Sequence, residues 1–409
     1  MRGARRALLL ALGAAMALGP PPVAALATAP DVGGARLERV AYTDLPGWEA
    51  DDHAAALAAF RVSCDPILEG RAALRPAAAA GVDLLAACRA AQGVAAGDAR
   101  AYFERTFVPH RVIPPSGRGF LTGYYEPELA GSLVRTPRFA TPLRARPADL
   151  VTLAEGKTRP GVDGSLRAAL TDDAGGFRPA PTRAEIEEGA LGDAAPPIVW
   201  LEEPGEAFIV HVQGSARIRL EDGRVLRVGY AGRNGHPYTS IGRLLVERGA
   251  IDRDAMSLER LLGWLRENPE EARALMRENA SYIFFAVLDA NDPAHDRAPG
   301  PTGGAGVPLT PGRSLAVDRG LWPYGLPFWL SGALPDADGV VHPLARLMVA
   351  QDTGSAILGP ARGDYFVGSG ARAGTRAGLI RHATDFFVLL PRPEAEIAAP
   401  PALRPGNGR

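Results

Sequence analysis

Two cysteines, Cys64 and Cys88, are all that the chain of 409 residues contains. Neither has a histidine near it at ligand spacing, so they cannot assemble a structural metal site. The seven histidines are scattered, without the H-E-x-x-H pattern of a zinc hydrolase. His211, His236, His342 and His382 read as structural. No G-x-S-x-G nucleophile elbow, phosphate loop or dinucleotide fingerprint occurs. Serine hydrolysis and nucleotide chemistry therefore fall away, and neither a cofactor nor a metal is expected. An excess of charge is also missing: 45 basic residues face 46 acidic ones. Such a balance provides no field to draw nucleic acid. Internal repeats and coiled-coil heptads are absent, and a single apolar run, near the N-terminus, is the one approach to a membrane-length segment.

That run has a recognisable setting. Arg2, Arg5 and Arg6 precede Ala7–Leu18, and the small residues of PVAALATA follow, with cleavage expected after Ala25 or Ala27. The run is short for a membrane span, so residues 1–25 are expected to be a cleaved secretory signal peptide. No cysteine stands near the cleavage region, so a lipid-anchored form is not expected. Export places the mature protein in the periplasm, where Cys64 and Cys88 are expected to pair as a disulfide tying two helices.

Four hundred residues allow two domains and a sizeable core. Residues 50–105 read as helical. GRGFLTGYYEPELAGS, 117–132, reads as a strand end with an aromatic edge beside Glu126. Residues 133–207 are proline-rich and charged, suited to loops and short strands. AFIVHVQGSARIRLEDGRVLRVGYAGRNG alternates with period two and contains Asp222-Gly223 and Asn234-Gly235, both expected as hairpin turns. Helices are expected from Ser240, from Ser257 and from Pro269, the last with a capping box of Asn268 and Glu271. ASYIFFAVLD reads as a buried strand and 291–306 as loop. The final third reads as β, and the proline-rich tail from Pro391 as disordered.

Chemistry concentrates in residues 346–370, RLMVAQDTGSAILGPARGDYFVGSG. The apolar run Leu347–Ala350 leads into Asp352, and Asp364 follows twelve positions later among repeated glycines. Glycine permits positive φ and close approach of a ligand, so the pattern suits carboxylates at strand ends around a tight cleft. Asp352-Thr353-Gly354-Ser355 has the local form of an aspartic protease, but that mechanism shares a proton between two such motifs and only one is present. What remains is carboxylate chemistry on a neutral polymer. A glycosidase uses two carboxylates flanking the bond, and Asp364, Asp352, Asp318 and Glu126 are the candidates; the residues alone leave the pairing open.

FLTGYYEPELAGS, HVQGSARI, GYAGRNGHPYTSIGRLL, SYIFF, VPLTPGRSLAVDRGLWPYGLPFWL and AQDTGSAILGPARGDYFVGSG together resemble the membrane-bound lytic murein transglycosylase A (MltA) family. The last two blocks resemble its C-terminal region of three aspartates, here Asp318, Asp352 and Asp364. The resemblance implies a mainly β fold with accessory helices: a double-psi β-barrel built from early and late parts of the chain, a smaller inserted β-barrel, and a groove between them. Expected boundaries are 26–127 for the helical N-terminal part of the main domain, 128–279 for the insert, 280–390 for the rest of the main barrel and 391–409 for the tail.

It also implies a peptidoglycan lytic exotransglycosylase that cleaves the β-1,4 bond between N-acetylmuramic acid and N-acetylglucosamine without water, leaving a 1,6-anhydro end. Asp364 is then the expected acid and base, with Asp352 and Asp318 in support. Tyr124, Tyr125, Glu126, Gln213, Tyr238 and Arg313 are expected to line the substrate groove. The implied partners are peptidoglycan strands and other cell-wall enzymes, with the protein itself a monomer. A hydrolytic glycosidase on the same fold and a non-catalytic, expansin-like wall-binding protein are the alternatives. Gly354-Ser355 and Leu358 depart from the family's usual Gly-Gly and lysine in this turn.

Overall fold

The structure, a computed structural model, describes residues 32–153, 159–288 and 299–397. The expected signal peptide lies outside the described residues. Of the tail expected to be disordered from Pro391, residues 391–397 are instead ordered, with Glu394–Ile397 helical and the Glu394 N–H donating to Asp83; the part beyond Ile397 lies outside the described residues. No helix among the described residues is long and apolar enough to cross a membrane.

The chain opens with β1 (Arg36–Arg39), then α1 (His53–Glu69), α2 (Val82–Ala91) and α3 (Ala99–Thr106), as the sequence of 50–105 predicts. Asp52 caps α1 by accepting from the Ala55 N–H at 3.0 Å, and Gly70, at φ +65°, ends it in the left-handed turn that glycine adopts most readily. One face of α1, Ala56, Phe60, Ser63 and Cys64, is buried at helical spacing. Cys64 is disulfide-bonded to Cys88 of α2, with Cα atoms 5.1 Å apart. The strands β2 (Phe107–Ile113) and β3 (Gly119–Glu126) follow.

The middle of the chain forms a second β unit. Its strands are β4 (Glu128–Ser132), β5 (Thr141–Arg144), β6 (Leu150–Thr152), β7 (Ala168–Thr171) and β8 (Phe177–Pro179). After α4 (Arg183–Glu187) come β9 (Pro197–Leu201), α5 (Pro204–Gln213), β10 (Ser215–Leu220) and β11 (Val225–Arg233). The unit ends with α6 (Ile241–Glu247), α7 (Leu258–Glu267), α8 (Pro269–Arg277) and β12 (Ile283–Val287). Six of these strands pair in the order β12-β11-β10-β4-β9-β5, and a bridge between Ala145 and Phe285 brings the two edges together. The remaining β6, β7 and β8 form a small antiparallel sheet.

Three details of this middle unit differ from what its sequence predicts. AFIVHVQ is helical, not strand: Pro204 occupies the first turn of α5. Phe208 and Ile209 pack into one core while Ala207 and Val210 pack into another, so burial on both sides erases the helical period. Asp222-Gly223 does turn β10 into β11, but Asn234-Gly235 makes no hairpin. Asn234 instead donates to the carbonyls of Pro181 and Ala280, both at 2.8 Å. Finally, α8 starts at Pro269 as predicted, yet Asn268 donates to the Trp264 carbonyl and leaves the capping box unformed.

The last part supplies β13 (Ser314–Val317), β14 (Pro327–Pro335), β15 (Val341–Asp352), β16 (Arg362–Ser369), the helix α9 (Ala371–Leu379) and β17 (Arg381–Pro391). With β3 these strands close a six-membered ring, β3-β17-β14-β15-β13-β16 and back to β3, the double-psi barrel. Two of its contacts, β13 with β15 and β16 with β3, are parallel. A closed ring leaves none of its strands at a free edge. Phe328, Trp329, Leu347, Met348, Val349 and Val388 fill the core against Phe60 of α1. The helix α9 is an addition to a stretch that reads as β throughout.

Candidate active site at the mouth of the barrel

Register builds the site. On β13, Ala316 is the partner of Asp352 of β15 on one side and of Asp364 of β16 on the other. On the far side of Asp364, Thr122 of β3 is its partner. Asp352, Ala316, Asp364 and Thr122 thus stand in one row across four neighbouring strands. Strand spacing of about 4.8 Å puts the two aspartates roughly 10 Å apart at Cα. A bulge lies where β13 meets β15, between the Leu315 and Ala316 pairs. It leaves Gln351 turned inward, where it donates to the Ala59 carbonyl at 2.9 Å and to Ser63 at 2.8 Å, both on α1. The helix that carries Cys64 therefore also props the strand that carries Asp352.

Asp364 is half-buried, with its carboxyl group packed among neighbours. Thr122 Oγ1 donates to its Oδ1 at 2.6 Å, and Arg362 Nη2 donates to Thr122 Oγ1 at 2.8 Å. Burial pushes the Asp364 carboxyl up from 3.8 to about 6. The Thr122 hydrogen bond and the Arg362 charge pull against that rise, and the Asp352 charge adds to it. Asp352 accepts from the Gly304 N–H at 2.7 Å.

Two tyrosines complete the surround. The hydroxyls of Tyr124 and Tyr324 are buried without a hydrogen-bond partner among the described residues. Burial raises both phenols, and Asp352 raises both further; Tyr124 feels Asp364 as well. Tyr124 is close enough to Asp352 for the charge to act on it but lacks hydrogen-bond geometry. An unpaired buried hydroxyl is costly, which marks both groups as open to a further partner.

Other residues expected at the groove are placed differently. Glu126 is fully buried, where it accepts from Arg217 and Arg227 at 2.9 Å and from Ser369 at 2.7 Å. In place of a groove-lining role, it clamps β3 and β16 of the main barrel to β10 and β11 of the insert. Arg313 is likewise buried and pairs with Asp51 at 2.7 Å. Tyr125 packs its ring against Gly374 of α9, where a Cβ would come within 2.7 Å, and its N–H donates to Gln213 Oε1 at 3.1 Å. Tyr125 and Gln213 thereby join α5 to β3, whereas Tyr238 is exposed. Asp318 accepts from Gly320 at 3.0 Å and from Gly359 at 2.7 Å, pinning the loop between Asp352 and Asp364. His211 accepts from the Ile283 N–H and is structural.

Thr122, Arg362, Tyr324 and Arg75 were not among the expected site residues. Arg75 Nη1 donates to the Thr353 carbonyl at 2.8 Å, directly beside Asp352. A period-two reading would have found Thr122, which shares a strand face with Tyr124, and Arg362, which shares one with Asp364. Arg75 lies in an alanine- and proline-rich loop with no motif. A cavity of about 640 Å³ between α5 and α8, lined in part by Arg183, Glu206 and Met276, is separate from the aspartates.

Fold and site define a class: a double-psi β-barrel whose mouth holds Asp352 and Asp364 in one row, beside an inserted β-barrel. The chain belongs to the membrane-bound lytic murein transglycosylase A family. Residues 120–286 match the MltA specific insert domain, and residues 313–390 match the 3D domain. A membrane-bound lytic murein transglycosylase from Agrobacterium tumefaciens is 38% identical with a TM-score of 0.77, covering 87% of this chain and 98% of that one. Escherichia coli MltA solved with bound chitohexaose is 26% identical with a TM-score of 0.63, covering 88% of this chain and 95% of that one. Membrane-bound lytic murein transglycosylase A of Vibrio cholerae is 39% identical over 207 residues, 49% of this chain and 54% of its own length. The matched part thus spans about half the length of such curated relatives.

Proposed function

We propose that this protein is a peptidoglycan lytic transglycosylase in which Asp364 acts first as acid and then as base. The observation that carries the reading is the Asp364 carboxyl, raised to about 6 in a packed site at a strand end. A carboxyl with such a value is protonated often enough near neutral pH to donate, and basic enough afterwards to accept. Asp364 gives its proton to the glycosidic oxygen as the bond from C1 breaks. The C6 hydroxyl of the same N-acetylmuramic acid attacks C1 and releases its proton to Asp364. No water enters, and the acid is regenerated. Because the nucleophile belongs to the reacting sugar, proximity supplies much of the acceleration and one carboxyl suffices. Asp352 helps keep Asp364 protonated, and Asp318 holds the intervening loop. Tyr124 and Tyr324 are suited to a sugar hydroxyl.

The family, and the chitohexaose bound by the Escherichia coli relative, support a glycan strand as the ligand. The basic and apolar N-terminal segment supports work on the wall from the periplasmic side. We retain residues 128–279 as the insert and the flanking parts as the main domain. The test is digestion of purified sacculi, with mass spectrometry of the released muropeptides and the Asp364→Asn protein run alongside. Products lighter by one water than hydrolytic ones, absent with the variant, are expected. Reducing ends with wild-type protein would move the reading to hydrolysis, and sacculus binding without release in both proteins would move it to a non-catalytic wall binder.

A further inference from the structure

Four arginines gather beside this site without a carboxylate partner among the described residues. Arg75 belongs to the loop after α1, Arg319 to the turn after Asp318, Arg233 to the end of β11, and Arg167 to the segment leading into β7. All four are half-buried, and none has an acidic partner within 4.0 Å among the described residues. Arg75, Arg167 and Arg319 each donate to a carbonyl, whereas the side chain of Arg233 has neither a carbonyl nor a carboxylate among the described residues.

Their placement is built rather than incidental. The Arg75 N–H donates to the Gly304 carbonyl at 3.0 Å, and Gly304 in turn donates to Asp352. Its guanidinium lies 3.8 Å from the ring centroid of Tyr230, three residues before Arg233, so it reaches from the main domain onto the insert. Arg319 Nη1 donates to the Pro76 carbonyl at 3.0 Å, and the Arg319 carbonyl accepts from Ala78 at 2.8 Å, holding Arg319 to the Arg75 loop. On the insert side, Gly235 at φ +86° lets the chain pass so close to Arg167 and Ala168 that a Cβ would meet the Ala168 nitrogen at 2.2 Å. The Arg167 N–H donates to the Gly235 carbonyl at 3.0 Å. Burial first, and then the charges of Arg75, Arg319 and Arg167, depress Arg233. Like charges held together in partial burial, with carbonyls but no described carboxylate beside them, oppose folding, so the cluster is better explained by an anionic ligand than by stability.

We propose that Arg75, Arg167, Arg233 and Arg319 form a carboxylate-binding site that grips the peptide stem of the glycan strand whose sugar lies at Asp364. The proposal rests on the function read above. The glycan backbone of the ligand is neutral, and its anionic groups are carboxylates on the stems. Arginine forks match a carboxylate geometrically and form charge-assisted hydrogen bonds with it. The site would make the enzyme prefer strands that still bear peptides over bare ones.

The test is calorimetric titration, so that it does not depend on cleavage. The Asp364→Asn protein, with and without Arg233→Gln, is titrated with three soluble ligands. They are a peptide-bearing muramoyl tetrasaccharide, the same sugar stripped to its lactyl carboxylate, and chitotetraose, which has no carboxylate. We expect Arg233→Gln to lower the ratio of affinities for the peptide-bearing sugar over chitotetraose roughly tenfold. Arg319→Gln, on the main domain where Arg233 is on the insert, is expected to do the same and stands in if the first variant misfolds. A ratio that falls only for the stripped sugar would overturn the stem in favour of the lactyl group. Equal loss for all three ligands, or no loss for any, would overturn the site altogether. Failure of the wild-type protein to form anhydro ends from sacculi would sink the underlying reading and leave this binding comparison interpretable on its own.

Discussion

Thr122 and Asp364 are partners in the parallel pairing of β3 with β16, and the Thr122 hydroxyl donates to the carboxyl at 2.6 Å. That bond favours the ionised form, as does Arg362, while Asp352 opposes it. The activity of a protonated acid holds at low pH and is lost as pH rises through its pKa, here about 6. Thr122→Val and Arg362→Met are therefore expected to move the alkaline limb of kcat/KM to higher pH, and Asp352→Asn to lower pH. Profiles on a soluble glycan substrate decide it. Shifts of one common sign in all three variants would contradict the electrostatic account.

The same carboxyl bears on stability. A carboxyl raised in the folded protein is a liability once ionised: below its unfolded value of 3.8 both states hold the proton, and the penalty grows as pH rises toward 6 and stays constant above. Asp364→Asn should thus be more stable than wild type at pH 8, by at most about 3 kcal/mol, reduced by whatever exposure the residue keeps. The advantage should vanish below pH 4. Urea unfolding at the two pH values measures it; an equal difference at both would mean that ionisation is not the cause. A gain of that kind is the usual mark of a group held against its preference.

How much of this was legible in the sequence follows from what each pattern encodes. The strands around Asp352 and Asp364 were legible because each is a short apolar run ending at turn residues. Their meeting was not, because it depends on β13 lying between β15 and β16, and register across non-consecutive strands leaves no local trace. The helix α5 was misread because Phe208 and Val210 face different cores. Glu126 shows the opposite failure. A glutamate next to two tyrosines reads as a ligand contact, but its partners Arg217 and Arg227 stand 91 and 101 residues away, and only the fold reveals that it is spent on them.

That burial makes Glu126 a structural residue with a measurable signature. Removing one partner of a buried ion network leaves the remaining charges uncompensated, typically for about 3–5 kcal/mol. Glu126→Gln keeps the shape and some hydrogen bonding, so a loss near about 3 kcal/mol is expected. Because the network joins the two barrels, thermal unfolding should broaden or split as they lose cooperativity. Retained stability with weakened glycan binding would instead return Glu126 to the groove.

The disulfide reaches the site through α1. Cys64 and Cys88 close a loop with a sequence separation of 24, and a cross-link of that span stabilises by about 3 kcal/mol through the unfolded chain. Ser63, next to Cys64, receives the Gln351 side chain, and Gln351 precedes Asp352. Loosening α1 should therefore disturb the position of Asp352 as well as lower global stability. Cys64→Ser/Cys88→Ser is expected to unfold at lower denaturant concentration, and its alkaline pH limb should move in the direction of Asp352→Asn. The two effects separate cleanly. If stability falls and the pH limb stays where wild type has it, the disulfide serves the fold alone and the contact from Gln351 to α1 transmits nothing to the acid.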